Sequence, residues 1–159
     1  MTKDMLEKGA IVQRDKETFA IAPHIPGGII DPAGLRRIAA VAEKYHAKAL
    51  KITSAQRIAI VGIDTKDIDD AWKDLGMKTG AAIGLCVRSI KICPGTTFCK
   101  RGQQDSVGVG LKLDEKYHGM SLPWKFKFGV SGCANSCAEP AVKDIGLIDS
   151  QNLAQSDGS

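Results

Sequence analysis

Hydrophobic positions in the first half of the chain alternate between two spacings. Thr18, Phe19, Ala20, Ile21 and Ala22 form a short, mostly apolar run, which predicts a buried strand. A loop with His24, Pro26, Gly27 and Gly28 follows. Asp31 can cap a helix, and Pro32 suits its first turn. Leu35, Ile38, Val41, Ala42 and Tyr45 then recur at helical spacing, so this helix runs to about Tyr45. Residues 49–53 read as a strand, 54–56 as a short turn and 57–63 as a further strand. Ile68, Ala71, Trp72 and Leu75 place a second helix over residues 65–75. Residues 84–92 are strand-like again.

The order strand, helix, strand, strand, helix, strand is that of a ferredoxin-like split βαβ unit. It says little about function. The expected fold class is therefore α+β: a ferredoxin-like (βαββαβ) half over residues 1–82, packed on a second half over 83–149. The joint falls at residues 80–84. In the second half, residues 104–117 read as mostly helical despite Gly108 and Gly110. Residues 124–131 read as a strand, and 141–149 as another. Residues 150–159 are polar and aperiodic, and are expected to fray. No internal repeat is visible.

Composition narrows the function classes. The chain has 159 residues, 43% hydrophobic and 25% charged, as in an ordinary soluble domain. Aromatic residues are only 5%, so the core must come mainly from Ile, Val, Leu and Ala. No apolar run reaches the roughly 18 residues of a membrane span. The first residues lack the apolar stretch of a secretory signal, which suggests a cytoplasmic protein. A net charge of +4 without a basic block does not argue for nucleic acid, but suits an anionic ligand. Five cysteines without an export signal suggest reduced thiols used for metal or redox chemistry.

All five cysteines lie in the second half. Five residues separate Cys93 from Cys99, and three separate Cys133 from Cys137. Four thiolates can hold an iron–sulfur cluster or zinc, and buried inert thiols are a third reading. The five-residue gap is wider than structural zinc usually takes, so the spacing favours iron–sulfur. Pro94-Gly95 allows a sharp turn after Cys93, and Gly132 allows close backbone approach. Cys86, in an apolar stretch, reads as a core residue.

Leu122-Pro123-Trp124-Lys125-Phe126-Lys127-Phe128 alternates strictly. In a strand, Lys125 and Lys127 share one face, and Phe126 and Phe128 the other. Lysines in such a strand are usually just solvated. Here the strand leads within six residues to Cys133. Arg88 precedes Cys93 by five positions, and Lys51 lies beside the 53–57 turn. Each alone reads as a surface residue. Converging near a redox centre, they would form an anion clamp.

These residues resemble the sulfite and nitrite reductases that carry sirohaem coupled to a [4Fe–4S] cluster. The likeness rests on Cys93-Pro94-Gly95 with Cys99, on Ser131-Gly132-Cys133-Ala134-Asn135-Ser136-Cys137, and on Leu122-Pro123-Trp124-Lys125-Phe126-Lys127. It extends to Pro26-Gly27-Gly28-Ile29-Ile30 and to the Thr53/Gln56 turn. It spans roughly residues 15–149, and is greatest to the small assimilatory-type sulfite reductases. The resemblance implies that Cys93, Cys99, Cys133 and Cys137 ligate the cluster and that Cys137 also bridges to the sirohaem iron. It places Arg88, Lys125 and Lys127 among substrate-binding cations. Lys51 falls where larger members have an arginine, keeping the charge but losing the planar fork. Thr53, Gln56 and Arg57 fall in the segment that contacts the macrocycle, and Asn135 in the bridge-side loop.

The implied activity is six-electron reduction of sulfite to sulfide. The alternatives are nitrite reduction to ammonia, and a non-catalytic iron–sulfur carrier or zinc-stabilised module. No dinucleotide-binding fingerprint is present, so an external electron donor such as a ferredoxin is expected. Relatives continue past the second cysteine pair with a strand, a glycine-rich segment and a helix. The residues after Ile148 do not resemble that continuation, which suggests a truncated chain.

Overall fold

The computed structural model describes residues 3–149 and contains two sheets. The first is antiparallel and four-stranded, built from β1 (Ala10–Val12), β2 (Thr18–Ile21), β3 (Ala49–Ile52) and β4 (Ile58–Asp64) in the order β1-β2-β4-β3. Helix α1 (Pro32–Lys44) joins β2 to β3, and α2 (Ile68–Leu75) follows β4. The second sheet is parallel, with β5 (Lys91–Ile92), β6 (Phe128–Ser131) and β7 (Ile145–Ile148) in sequence order. The short α3 (Gly95–Phe98) and the longer α4 (Ser106–Tyr117) connect β5 to β6.

Sequence chemistry explains the first half. Asp31 caps α1 by accepting a hydrogen bond from the Gly34 N–H at 2.6 Å, satisfying one of the helix's free donors. Gly76, at φ 57°, ends α2 in a left-handed conformation that costs glycine little. Phe19, Ile21, Ile38, Ile60, Ile63, Ile68 and Leu75 are wholly buried between sheet and helices. Each such side chain contributes about 1.5–3 kcal/mol of burial free energy. The core is aliphatic, as the scarcity of aromatics requires. Leu35, expected on the buried face of α1, is instead exposed, while Ile38, Val41 and Ala42 are buried.

A second apolar cluster forms from Val87, Ile90, Ile92, Val107, Phe128 and Val130. It packs α4 against the parallel sheet.

The expected strands are shorter here. Of residues 84–92, only Lys91 and Ile92 join a ladder; Cys86 and Val87 make isolated bridges to Ser121 and Phe126. Gly84 turns the chain at φ 91°, and the Arg88 guanidinium donates to the Ala81 and Gly84 carbonyls, winding this stretch around itself. The last strand of the expected βαββαβ order therefore opens the second sheet. Its place at the edge of the first sheet beside β2 is taken by β1, which hydrophobic patterning missed because it is only three residues long. Of residues 124–127, Trp124 lies in a bend and only Phe126 pairs, in its isolated bridge to Val87; the ladder begins at Phe128. The helix expected from residue 104 starts at Ser106, where the Asp105 side chain caps it. The first turn of the helix expected over 65–75 is a 3-10 turn. The tail expected to fray at 150–159 lies outside the described residues.

Candidate functional site

The two cysteine pairs follow adjacent parallel strands. The β5–β6 register places Ile92 opposite Val130, so Cys93 leaves its strand beside Ser131, two residues before Cys133. In open sheets of parallel strands, ligands gather at the carboxyl ends. The Cys93 N–H donates to the Val130 carbonyl at 3.0 Å. The Gly132 N–H donates to the Cys93 sulfur at 3.0 Å, and the Ser106 hydroxyl lies 3.4 Å from that sulfur. A Cβ on Gly132 would approach the Gly95 Cα to 2.7 Å, so only glycine lets the two cysteine-bearing loops touch.

Burial differs among the four thiols. Cys93 is buried, Cys99 and Cys133 are half-buried, and Cys137 is exposed. Asn135 lines a small cleft of about 190 Å³ with Arg101, Gln103, Cys133 and Ala134. Among the described residues, no group of three or more His, Cys, Asp or Glu side chains is set to hold a single metal ion. Cys86 is half-buried and apart from this site, its thiol 3.7 Å from the Ile83 carbonyl.

The cations converge. A cavity of about 320 Å³ is lined by Arg57, Arg88, Lys125 and Lys127, together with Lys91 and Lys143, and no carboxylate residue lines it. The alternation read from the sequence explains two of them. Phe126 and Phe128 turn into the second core, with ring centroids 5.3 Å apart, which leaves Lys125 and Lys127 on the other side. Residues 126 and 88 are locked together, the Arg88 N–H donating to the Phe126 carbonyl at 2.8 Å.

Period-two geometry extends that face along β5. Ile90 and Ile92 point into the core, so Lys91 points away from it, on the face shared with Lys127, Gly129 and Ser131, and Cys93 follows directly at the end of the strand.

Arg57 is buried, and one of its terminal N–H groups donates to the Gly80 carbonyl. Burial, reinforced by the nearby Arg88 charge, lowers its pKa from the usual arginine value, though a guanidinium stays protonated. The Nε atoms of both Arg57 and Arg88 are buried without a partner. Two cations lining one cavity, each with an unused donor and with no lining acid, suit an anion.

Thr53, Gln56 and Arg57 also meet, around an apolar cleft of about 290 Å³ with Ile25, Gly28, Ile30, Ile52 and Ile58. Thr53 closes the turn: its hydroxyl donates to the Arg57 carbonyl at 3.1 Å and accepts from the Arg57 N–H at 3.2 Å. The Gln56 amide is committed to the backbone of Ile92. Lys51 does not line the cation cavity. It pairs with Ala59 in the sheet register, on the face opposite buried Ile60, and its strand is exposed throughout.

Sequence reasoning missed Lys91, Lys143 and the acid that organises them. Glu139 accepts from Lys91 at 2.9 Å and from Lys143 at 3.1 Å, and these two ammonium groups hold its carboxyl below the usual range. Lys91 carried a readable signal, lying between Ile90 and Ile92 in strict alternation. Lys143 and Glu139 carried none.

Comparison with known proteins matches both halves. Residues 11–78 match the nitrite/sulfite reductase ferredoxin-like half domain, and residues 83–154 the nitrite and sulphite reductase 4Fe-4S domain. An assimilatory-type sulfite reductase of Nitratidesulfovibrio vulgaris is 44% identical over 141 residues, covering 89% of this chain and 65% of that protein. A nitrite reductase [NAD(P)H] of Bacillus subtilis is 39% identical over 139 residues, covering 87% of this chain but 17% of the relative. The chain thus spans just under two thirds of one relative and a small part of the other. Among solved structures, dissimilatory sulfite reductase I superposes with a TM-score of 0.72 at 22% identity, covering 82% of this chain and 32% of that one. The Mycobacterium tuberculosis NirA protein gives 0.69 at 22% identity, covering 82% of this chain and 25% of its own. These likenesses show a shared fold of mixed α/β type. No helix among the described residues is long and apolar enough to cross a membrane. With a matching iron–sulfur domain and a cation-lined cavity beside the strands that lead to its cysteines, the chain belongs to the nitrite and sulphite reductase family.

Proposed function

We propose that this chain carries the catalytic site of a sirohaem-dependent sulfite reductase that converts hydrogensulfite to hydrosulfide and water with six electrons and six protons. The observation that carries the reading is the cavity lined by Arg57, Arg88, Lys125 and Lys127, without an acid, beside the strand that ends at Cys93.

The residues fit the two prosthetic groups. Cys93, Cys99, Cys133 and Cys137 would hold the [4Fe–4S] cluster. Exposed Cys137 is the thiol most open to sharing its sulfur with a second metal group. The unpartnered Nε donors of Arg57 and Arg88 suit carboxylates of a macrocycle or the substrate anion. The apolar cleft beside Arg57 suits the flat body of such a ring. When bound, sirohaem with its cluster supplies the iron centre and single-electron steps.

The protein's own residues do the rest. Arg88, Lys125 and Lys127 bind the anion and offset the charge that grows on oxygen as S–O bonds break. The lysine ammonium groups donate protons to departing oxygens and recover them from water. Electrons come from an external carrier such as a ferredoxin. Nitrite reduction to ammonia is the second reading, because nitrite reductases such as that of Bacillus subtilis match this chain almost as well as the sulfite reductase does.

The test is reconstitution with iron, sulfide and sirohaem, followed by oxidation of reduced viologen with sulfite or nitrite. Haem-type absorption and sulfite-dependent turnover are expected. The double variant Lys125→Ala/Lys127→Ala is expected to lose about 100-fold in turnover with cluster absorption intact. A wild-type protein that stays colourless, or a double variant as active as wild type, overturns the reading. Cluster absorption without haem bands or sulfite-dependent turnover points to an electron carrier.

A further inference from the structure

Gln56 combines three features that a simple turn residue lacks. Its backbone sits at φ 57°, a left-handed conformation that a non-glycine residue adopts only when the surroundings hold it there. Its side-chain Nε2 donates to the Ile92 carbonyl at 2.7 Å, while its Oε1 accepts from the Ile92 N–H at 2.8 Å. Both ends of one amide are thus spent on one residue, the pattern a neighbouring strand would make in an antiparallel pair.

The recipient explains the arrangement. β5 is the outer strand of the parallel sheet, and Ile92 is only 2% exposed. Without Gln56, its outward-facing N–H and C=O would be buried and unpaired. The next N–H, that of Cys93, points the other way and donates to the Val130 carbonyl at 3.0 Å. The peptide plane joining Ile92 to Cys93 is therefore pinned from both sides, by Gln56 at its oxygen and by β6 at its nitrogen.

Glycines close the clamp. A Cβ on Gly28 would come within 2.8 Å of the Gln56 Cβ, and one on Gly27 within 2.9 Å of the Ile92 Cδ1. On the far side, a Cβ on Gly110 would meet the Ile92 Cδ1 at 2.4 Å. The next residue after Gln56 is Arg57, which lines the cation cavity.

We infer that Gln56 is a positioning residue: its amide clamps the Ile92–Cys93 peptide, and so fixes the direction of the Cys93 thiolate relative to the cations brought by the 53–57 turn. The inference rests on the proposed role of Cys93 as a cluster ligand. Orientation of a metal-binding side chain by its neighbours tunes the metal site as well as holding it.

Two variants test it. Gln56→Gly removes the amide while relieving the left-handed backbone, and Gln56→Met keeps bulk without hydrogen bonds. Hydrogen exchange at the Ile92 amide, followed by NMR on the full chain without cofactors, is expected to accelerate at least tenfold in both. After cluster reconstitution, both are expected to show an altered EPR signal, a shifted midpoint potential and severalfold faster loss of iron to a chelator. A residue needed only for the turn would leave Gln56→Gly with wild-type exchange, potential and iron retention. That result overturns the inference, as does accelerated exchange with an unchanged potential and iron loss. A wild-type chain that takes up no cluster overturns the functional reading and the role of Cys93 with it. The exchange measurement then still distinguishes this from a clamp that does not exist.

Discussion

The two sheets are built on opposite plans. The first is antiparallel, joined by regular helices and filled with isoleucine, and its core residues, Ile25 of the loop after β2 apart, come from five elements that each present an apolar face. The second is parallel and small: β5 has two residues, and every residue of β7 is exposed. Parallel sheets are normally covered on both faces. The chemistry-bearing side chains are nonetheless concentrated in the second sheet and the loops around it. Regular packing supplies the platform, and the irregular half spends its backbone on aiming thiols and cations.

Damaging each core in turn separates the two plans most strongly. Ile60→Ala in the first core is expected to cost about 2–5 kcal/mol in denaturant unfolding, enough to threaten the whole domain. Val130→Ala in the second, a smaller truncation, should cost about half as much while directly loosening the acceptor of the Cys93 N–H. Its expected mark is therefore loss of cluster retention at temperatures where far-UV circular dichroism is unchanged. Equal losses of stability, with equal effects on the cluster, would erase the distinction.

The same contrast explains what could be read from the chain. In the first half, helical spacing in α1 and α2 and the apolar β2 and β4 runs each dictate their own element, so local signals suffice. In the second half the stretch 84–92 looks like a strand, but Arg88 bonds to nearby carbonyls and pulls most of it out of the ladder. Tertiary contacts decide that outcome, and a one-dimensional pattern does not record them. Lys125 and Lys127 were legible because Phe126 and Phe128 needed a core. Lys143 was not, because its place in the cavity depends on the path of residues 139–145. The family resemblance places Gln56 in the segment that contacts the macrocycle, and the structure adds that its amide is bonded to Ile92; nothing in the sequence announces that pairing.

A histidine cluster joins the halves and makes their union sensitive to pH. His24, from the loop after β2, places Nε2 2.7 Å from the Asp114 carboxylate of α4, and its ring stacks on His118 with centroids 3.5 Å apart. Glu115, Lys78 and the more distant Arg57 charge also face this cluster. Burial, then the neighbouring His24, lowers the His118 pKa from its ordinary value, with Arg57 adding to the effect and Asp114 opposing it. An unfolded histidine titrates near 6.5, so below about that pH the unfolded chain binds the extra proton first. This contribution to stability is intact above that value and is lost as the pH falls through the lower folded one. Denaturant unfolding from pH 8 to pH 5 should show the loss in wild type and a flatter profile in His118→Gln. Parallel profiles would remove His118 as the source.

The smallest effect discriminates the two plans most finely, because the same capping bond occurs once in each half. Asp31 accepts from the Gly34 N–H at 2.6 Å to start α1, and Asp105 accepts from the Gly108 N–H at 2.9 Å to start α4. Either aspartate changed to alanine should cost about 1 kcal/mol, since each substitution leaves one helix donor without its side-chain partner. The consequences at the cysteines differ. The α1 cap bonds only within its own helix start, so Asp31→Ala should lower the melting temperature by a few degrees and leave iron retention unchanged. The α4 cap adjoins buried Ser106, whose hydroxyl donates to the Cys93 carbonyl at 2.9 Å. A frayed α4 start therefore reaches a cysteine backbone directly. Asp105→Ala should match Asp31→Ala in stability while releasing iron to a chelator severalfold faster. Identical release rates would mean that the loops around the thiols are held by the sheet alone.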